Sequence, residues 1–394
     1  MEIKNKLERN IRKQYIFQFI NSLNLTRGIW MLYLAYKGLS LFHIGLMETV
    51  YHISSFSMEI PTGAIADIFG RKTSRSLGKV ASIISILFMI WGNSALAFAV
   101  AFFFSALSNN LESGAGDALV YDSLKEIGRE KAYLKISGRN EFLYNIASIF
   151  SLVVAGYIAT LNFENIYKVS LVIAIVTFVQ TLSFTEPTIS SVDNSQGFVK
   201  TFINQLKDSL YIVKKDKRVL GAILAAELFA TLYTTEFFYI QNRLQALGQT
   251  TFEIGIVLAA GSLACAILAT QTHRLEKKYS IAGIMRIAAV VGIIGFWGMS
   301  IEGVERYVFV VLSAVEGMIF VTVSDYINKL IPSKQRATIL SLQSMMFSAY
   351  MIVLFPIVGS IGDVYGLGYA FRVVAVVATA SLGGMLFIIR KVKK

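Results

Sequence analysis

Four ionisable residues stand in the middle of long apolar runs: Arg27, Glu112, Glu227 and Glu316. A charge at the centre of a membrane helix costs about 2.5–3.5 kcal/mol, so each one marks an ion pair or a functional group. Arg27 and Glu112 are expected to pair. Glu227 and Glu316 have no evident base at their depth, and a carboxylate shielded from water without a base takes up a proton readily. They are the expected proton carriers. Asn21, Asn24 and Arg27 recur every three residues and so fall on one helical face, while Asn110 and Asp117 add polar groups around Glu112. Three acids against one base make the set net acidic, which suits a cationic or zwitterionic, partly apolar substrate.

The elements that carry these residues must lie in lipid. Of 394 residues, 55% are hydrophobic and only 16% are charged, against roughly 25% charged in soluble domains. A membrane crossing needs about 20 apolar residues. Twelve helical segments are predicted, from 15–37 to 367–390, with the eighth at 251–272 and the ninth at 280–300. The longest polar stretch, 186–216, carries Phe198, Phe202, Leu206 and Leu210 at i+4 spacing with lysines beside them, the pattern of an amphipathic helix on a membrane surface. It divides the chain into a six-helix bundle at 1–185 and another at 217–394. The N-terminal stretch from Met1 to Lys13 is too charged for a cleaved leader.

Lysine and arginine alternate with the connections. Placing both termini in the cytoplasm puts 31 of the 37 basic residues on that side, four of them in the stretch 71–79. This is the positive-inside pattern of short loops. The net charge of +12 therefore reads as topology and attraction to anionic lipid, and nucleic acid is not an expected partner.

Between the second and third segments runs Gly63-Ala64-Ile65-Ala66-Asp67-Ile68-Phe69-Gly70-Arg71-Lys72. Gly-x-x-x-Asp-x-x-Gly-Arg-Lys resembles the signature loop of the major facilitator superfamily of transporters, and a degenerate second copy follows around His273 and Glu276. The resemblance implies an all-α membrane protein of the MFS fold, two six-helix bundles related by a pseudo-two-fold axis, working by alternating access. It also implies a latch. Asp67 would meet the start of helix 11 near Arg336, and Arg71 would meet Asp122 at the end of helix 4, with Gly63, Gly70 and Lys72 shaping the loop. In this fold helices 1, 4, 7 and 10 line the cavity, and these carry Arg27, Glu112, Glu227 and Glu316. The arginine four residues before the helix-4 glycine of proton-coupled drug exporters is Asn110 here, and helix 5 has no proline.

The resemblance is to bacterial drug-efflux-type members. It implies a monomer in the cell membrane, exchanging small molecules for protons without a cofactor. Uptake of a polar metabolite by symport and lipid flipping are the alternatives within the fold. Enzymatic chemistry is not expected: His43, His52 and His273 are scattered, Cys265 is the single cysteine, and no Gly-x-x-x-x-Gly-Lys phosphate loop occurs. Glu236 and Arg243 are expected to share a gate. Phe104, Tyr233, Phe237 and Phe238 are expected to wall the cavity.

Overall fold

The computed structural model describes residues 2–188, 217–330 and 336–392. Among these, twelve α-helices and one short 3-10 turn account for the architecture, and no strand occurs. The expected amphipathic helix within 186–216 lies almost wholly outside the described residues. Among the described residues, eight helices are long and apolar enough to cross a membrane. Their outward faces carry Trp91, Leu96, Phe142, Ile294 and Phe320, all largely exposed, as a hydrocarbon solvent permits.

The chain forms two compact units. The first comprises Met1–Arg27 and Val50–Thr201. It contains α1 (Glu2–Asn21), the C-terminal part of α3 (Leu41–Phe69), α4 (Arg71–Trp91), α5 (Ala95–Glu126), α6 (Tyr133–Leu161) and α7 (Phe163–Ser183). In it α4 packs on α5 and α7, and α1 on α5, α6 and α7. The second comprises Gly28–Thr49 and Phe202–Lys394. It contains α2 (Trp30–Tyr36), the N-terminal part of α3, α8 (Lys217–Ala246), α9 (Thr251–Gly298), α10 (Glu305–Leu330), α11 (Arg336–Tyr365) and α12 (Leu367–Val392). There α9 packs on α10 and α12, and α8 on α2, α10, α11 and α12.

Two predicted segments change shape. The continuous helix expected over 15–37 is broken: α1 starts at Glu2, ends at Asn21, and the chain turns until Trp30. Asn, Ser and Thr offer the backbone competing hydrogen bonds, and Gly is a poor helix former. The break contains Ser22, Asn24, Thr26 and Gly28, and Thr26 Oγ1 donates to Asn24 Oδ1 at 2.8 Å. Asn24 and Arg27 therefore do not share a helical face with Asn21. The predicted gap at 273–279 is instead helical, so α9 runs for 48 residues. At about 1.5 Å per residue this is more than twice the hydrocarbon thickness of about 30 Å. The backbone leaves the helical region at Ser280 (φ 60°, ψ 162°), dividing α9 into two segments.

The turn between α3 and α4 is set by Gly70, whose φ of 95° and ψ of 159° belong to glycine. The same residue lets a carboxylate approach: a Cβ at Gly70 would lie 2.7 Å from the Glu186 carboxyl carbon. Gly70→Ala should destabilise the detergent-purified protein by about 2–3 kcal/mol in strain alone, lowering its thermal midpoint. Glu186→Ala, which removes only the helix cap, should cost about 1 kcal/mol. Equal midpoints for the two variants would remove the backbone argument.

Candidate functional site

The first unit holds a buried charge cluster that begins one turn into α4. Arg75 and Lys79, at i and i+4 on one face, are 1% and 6% exposed. The Arg75 guanidinium reaches Glu112 Oε1 of α5 through Nη2 at 2.8 Å and Nε at 3.0 Å, and donates through Nη1 to Gln14 Oε1 of α1 at 3.0 Å. Its face lies 4.2 Å from the Phe17 ring centroid and 4.9 Å from that of Phe184, favourable cation–π geometry. Lys79 donates to Asn21 Oδ1 and lies 5.4 Å from the Phe17 ring. One residue thus ties α1, α4, α5 and the end of α7.

This corrects two expectations. Glu112 pairs with Arg75, not with Arg27, which instead donates to the Tyr144 hydroxyl at 3.3 Å. Arg75 and Lys79 are also not solvated topology charges, although the positive-inside count placed them at the surface. Their i, i+4 spacing, each directly preceded by a small residue (Ser74 and Gly78), was the signal for an inward face. Asn110 binds α3 reciprocally: it donates to the Ser55 carbonyl at 2.6 Å and accepts from Ser55 Oγ at 2.8 Å. Asp117 and Asn24 are exposed.

At the α3–α4 turn, Asp67 Oδ1 accepts from Arg71 Nη1 at 2.6 Å, and Arg71 Nε lies 3.9 Å from Asp122 Oδ2. Sequence reasoning missed Glu186. Its two oxygens accept from the backbone N–H groups of Arg71 at 2.6 Å and Lys72 at 2.7 Å, an anion at the positive end of a helix. Nearby, Lys13 donates to the Ser183 carbonyl; burial first, and then the like charges of Arg9 and Lys72, hold its ammonium below the usual lysine range. Gly63 is half-buried in α3. Arg336 is the first residue of α11, and its side chain lies outside the described residues.

The second unit carries the two expected proton carriers. Glu227 of α8 is half-buried and accepts from Gln343 Nε2 of α11 at 2.9 Å. Glu316 of α10 accepts from the Cys265 thiol of α9 at 3.2 Å. Tyr233 stacks on Phe309 and donates to Ser313 Oγ, while Phe237 and Phe238 join it in a cluster reaching Trp30 and Phe355. Phe104 contacts Phe103 instead.

The expected Glu236–Arg243 gate is replaced by another arrangement. Arg243 bonds Glu305 Oε1 at 3.0 and 3.2 Å and approaches Glu302 at 3.6 Å. Glu236 is 0% exposed, and among the described residues neither of its carboxyl oxygens has a hydrogen-bond partner.

A second carboxylate grips a helix start in this unit. Asp363 of α11 accepts from the backbone N–H of Leu41 through Oδ1 and of Phe42 through Oδ2, both at 2.9 Å. Gly359 allows the approach, since a Cβ there would lie 2.4 Å from the Leu41 carbonyl oxygen. The Tyr239 hydroxyl lies within hydrogen-bond distance of that same carbonyl, at 3.3 Å, and of the Phe355 carbonyl, at 2.9 Å.

Apolar helices enclosing paired and neutral-bonded charges define a multi-pass membrane carrier. The chain belongs to the Major Facilitator Superfamily, whose family model matches residues 15–349; it is an MFS secondary transporter. It is 29% identical over 362 residues to YxaM, an MFS-type transporter of Bacillus subtilis (strain 168), covering 90% of this chain and 89% of that one. The fold is similar to the nucleoside transporter NupG (TM-score 0.79, 13% identity, 98% of this chain and 99% of that chain). It is also similar to a D-xylose–proton symporter (TM-score 0.70, 12% identity, 96% of each chain).

Removing one member of a buried pair costs about 3–5 kcal/mol, whereas replacing both by apolar groups is often close to neutral. Arg75→Met should therefore lower the thermal midpoint sharply, and adding Glu112→Met should restore most of it. Arg27→Met should show no such coupling to Glu112 in a double-mutant cycle. At Glu236 the sign reverses: Glu236→Met removes an unpartnered buried carboxyl and should raise stability by about 1–3 kcal/mol. A lower midpoint for that variant would show that the carboxyl has a stabilising partner.

Proposed function

We propose that this transporter exports amphipathic, cationic small molecules in exchange for protons, as a monomer without a cofactor. The observation that supports this reading is Glu227. Its carboxylate is half-buried and bonded by the neutral Gln343 amide rather than by a base. Such a group holds one positive charge at a time, a proton or a cationic substrate. Competition for one site drives the two fluxes in opposite directions, which is antiport. Glu316, bonded by a weakly donating thiol, is the second acid of the pathway. The Tyr233, Phe237 and Phe309 rings give an apolar wall for the substrate body.

The two bundles in this reading are 1–185 and 217–394, with both termini in the cytoplasm. The charge census supports that orientation even without Arg75 and Lys79, because the remaining basic residues still fall on alternate connections. Asp67, Arg71 and Asp122 form the cytoplasmic latch with Gly63, Gly70 and Lys72, and the start of α11 at Arg336 is its counterpart. Arg27, Asn24, Asn110 and Asp117 are polar groups of the transport path. Glu112, neutralised by Arg75, holds the helices that line it.

Proteoliposomes with an imposed pH gradient test the reading. Efflux of a cationic amphiphile should follow the gradient in the wild type and lose that dependence in Glu227→Gln, with the variant retaining the wild-type thermal midpoint. Gradient-driven transport that survives in Glu227→Gln would remove this carboxylate from coupling. Accumulation of a polar metabolite together with protons would replace antiport by symport.

A further inference from the structure

A cavity lies in the second unit, at the end of the bundle formed by the C-terminus of α8, the α9–α10 connection and the α11–α12 turn. Its volume is about 600 Å³, within the range of small-ligand sites. Arg243, Arg372, Trp297, Tyr365 and Tyr369 line it, with Glu302 at its rim. None of the acids assigned to coupling belongs to it.

The lining is built for an anion. Arg243 bonds Glu305 through Nε and Nη2, which leaves Nη1 without a hydrogen bond among the described residues, and the buried Glu305 fixes the plane of the guanidinium. Arg372 is exposed and makes no ion pair or hydrogen bond among the described residues. It follows Gly368 by one helical turn, and Gly368 itself abuts Arg243, a Cβ there lying 3.4 Å from Nη2. Arg243 therefore flanks the first turn of α12, where the 26-residue helix presents its positive end, and Arg372 lines the same cavity from the next turn. Glu302, 75% exposed, approaches Arg243 at only 3.6 Å and competes weakly.

The same cavity is built for an apolar body. The Trp297 indole N–H donates to Thr379 Oγ1 at 3.1 Å, which holds the ring in place. The Tyr365 and Tyr369 rings stand 5.2 Å apart, and their hydroxyls make no hydrogen bond among the described residues. Aromatic rings beside arginines at the end of a membrane bundle occupy the depth where lipid head groups lie.

We propose that this cavity binds the anionic head, phosphate or carboxylate, of an amphiphile, with Arg372 as the principal charge partner and Trp297 against the apolar body. The proposal does not rest on the direction of transport or on its coupling. The source of the anion is either a phospholipid or a soluble aromatic acid, and the two are separable.

The purified full chain in a neutral detergent is titrated with dihexanoylphosphatidylglycerol and, separately, with 2-naphthoate. Binding is read by thermal shift and by the change in tryptophan emission that is lost in Trp297→Phe. Saturable binding of either probe is expected, weakened about tenfold or more in Arg372→Gln, as loss of a charge-assisted contact requires. Arg372→Gln should keep the ligand-free midpoint, because Arg372 is exposed and unpaired. Preference for the lipid assigns the site to the membrane, and preference for the acid assigns it to a soluble ligand. Absence of saturable binding by both probes, or equal affinity in Arg372→Gln and wild type, overturns the proposal.

Discussion

Arg75 has almost no path to water. A guanidinium buried to 1% exposure persists only if its neighbours replace the lost hydration. Glu112, Gln14 and two aromatic faces do so here. These partners come from α5, α1 and the end of α7, so satisfying one side chain fixes four elements together. The short break after Asn21 belongs to the same arrangement. Asn21 is the last residue of α1 and the acceptor for Lys79, so the second buried cation is met where the helix ends. The outer surface of these helices is mostly apolar and contributes little to their mutual orientation in lipid. Packing and the polar interior set that orientation.

The same economy appears at helix starts. Each helix leaves its first N–H groups without intrahelical partners. For α4 two of them are met by Glu186, over a hundred residues away in the chain, and for α3 two are met by Asp363 from α11. Both carboxylates act through two oxygens on consecutive residues. Both also approach where glycine opens the space, at Gly70 and Gly359. Backbone polarity and local chain shape are thus solved together.

Much of the fold was legible because hydropathy, loop charge and the glycine-rich turn are local. The separation of helices and the nearness of Arg71 to Asp122 both follow from position in a span. What was not legible depends on facing. Arg75 and Lys79 lie in the first turns of α4, where a cation can point to water or inward, and a count of loop charges assigns both outward. Giving Glu112 to Arg27 followed from that choice. Glu186 and Asp363 were silent because a carboxylate that caps a distant helix leaves no spacing pattern. The join at 273–279 went unseen because Glu276, Lys277 and Lys278 are good helix formers, and polarity alone suggested a gap. Ser280 makes the interruption instead.

The grip of Asp363 on α3 has an uneven composition. Its donors are peptide groups of Leu41 and Phe42, and every non-proline residue supplies those equally. Substituting the side chain at either position leaves the donor in place. Heritable variation in the strength of this seam is therefore concentrated on its acidic half, in the reach and charge of a single residue. The opposing segment of the seam can drift in sequence, toward whatever its surroundings favour, without loosening the hold.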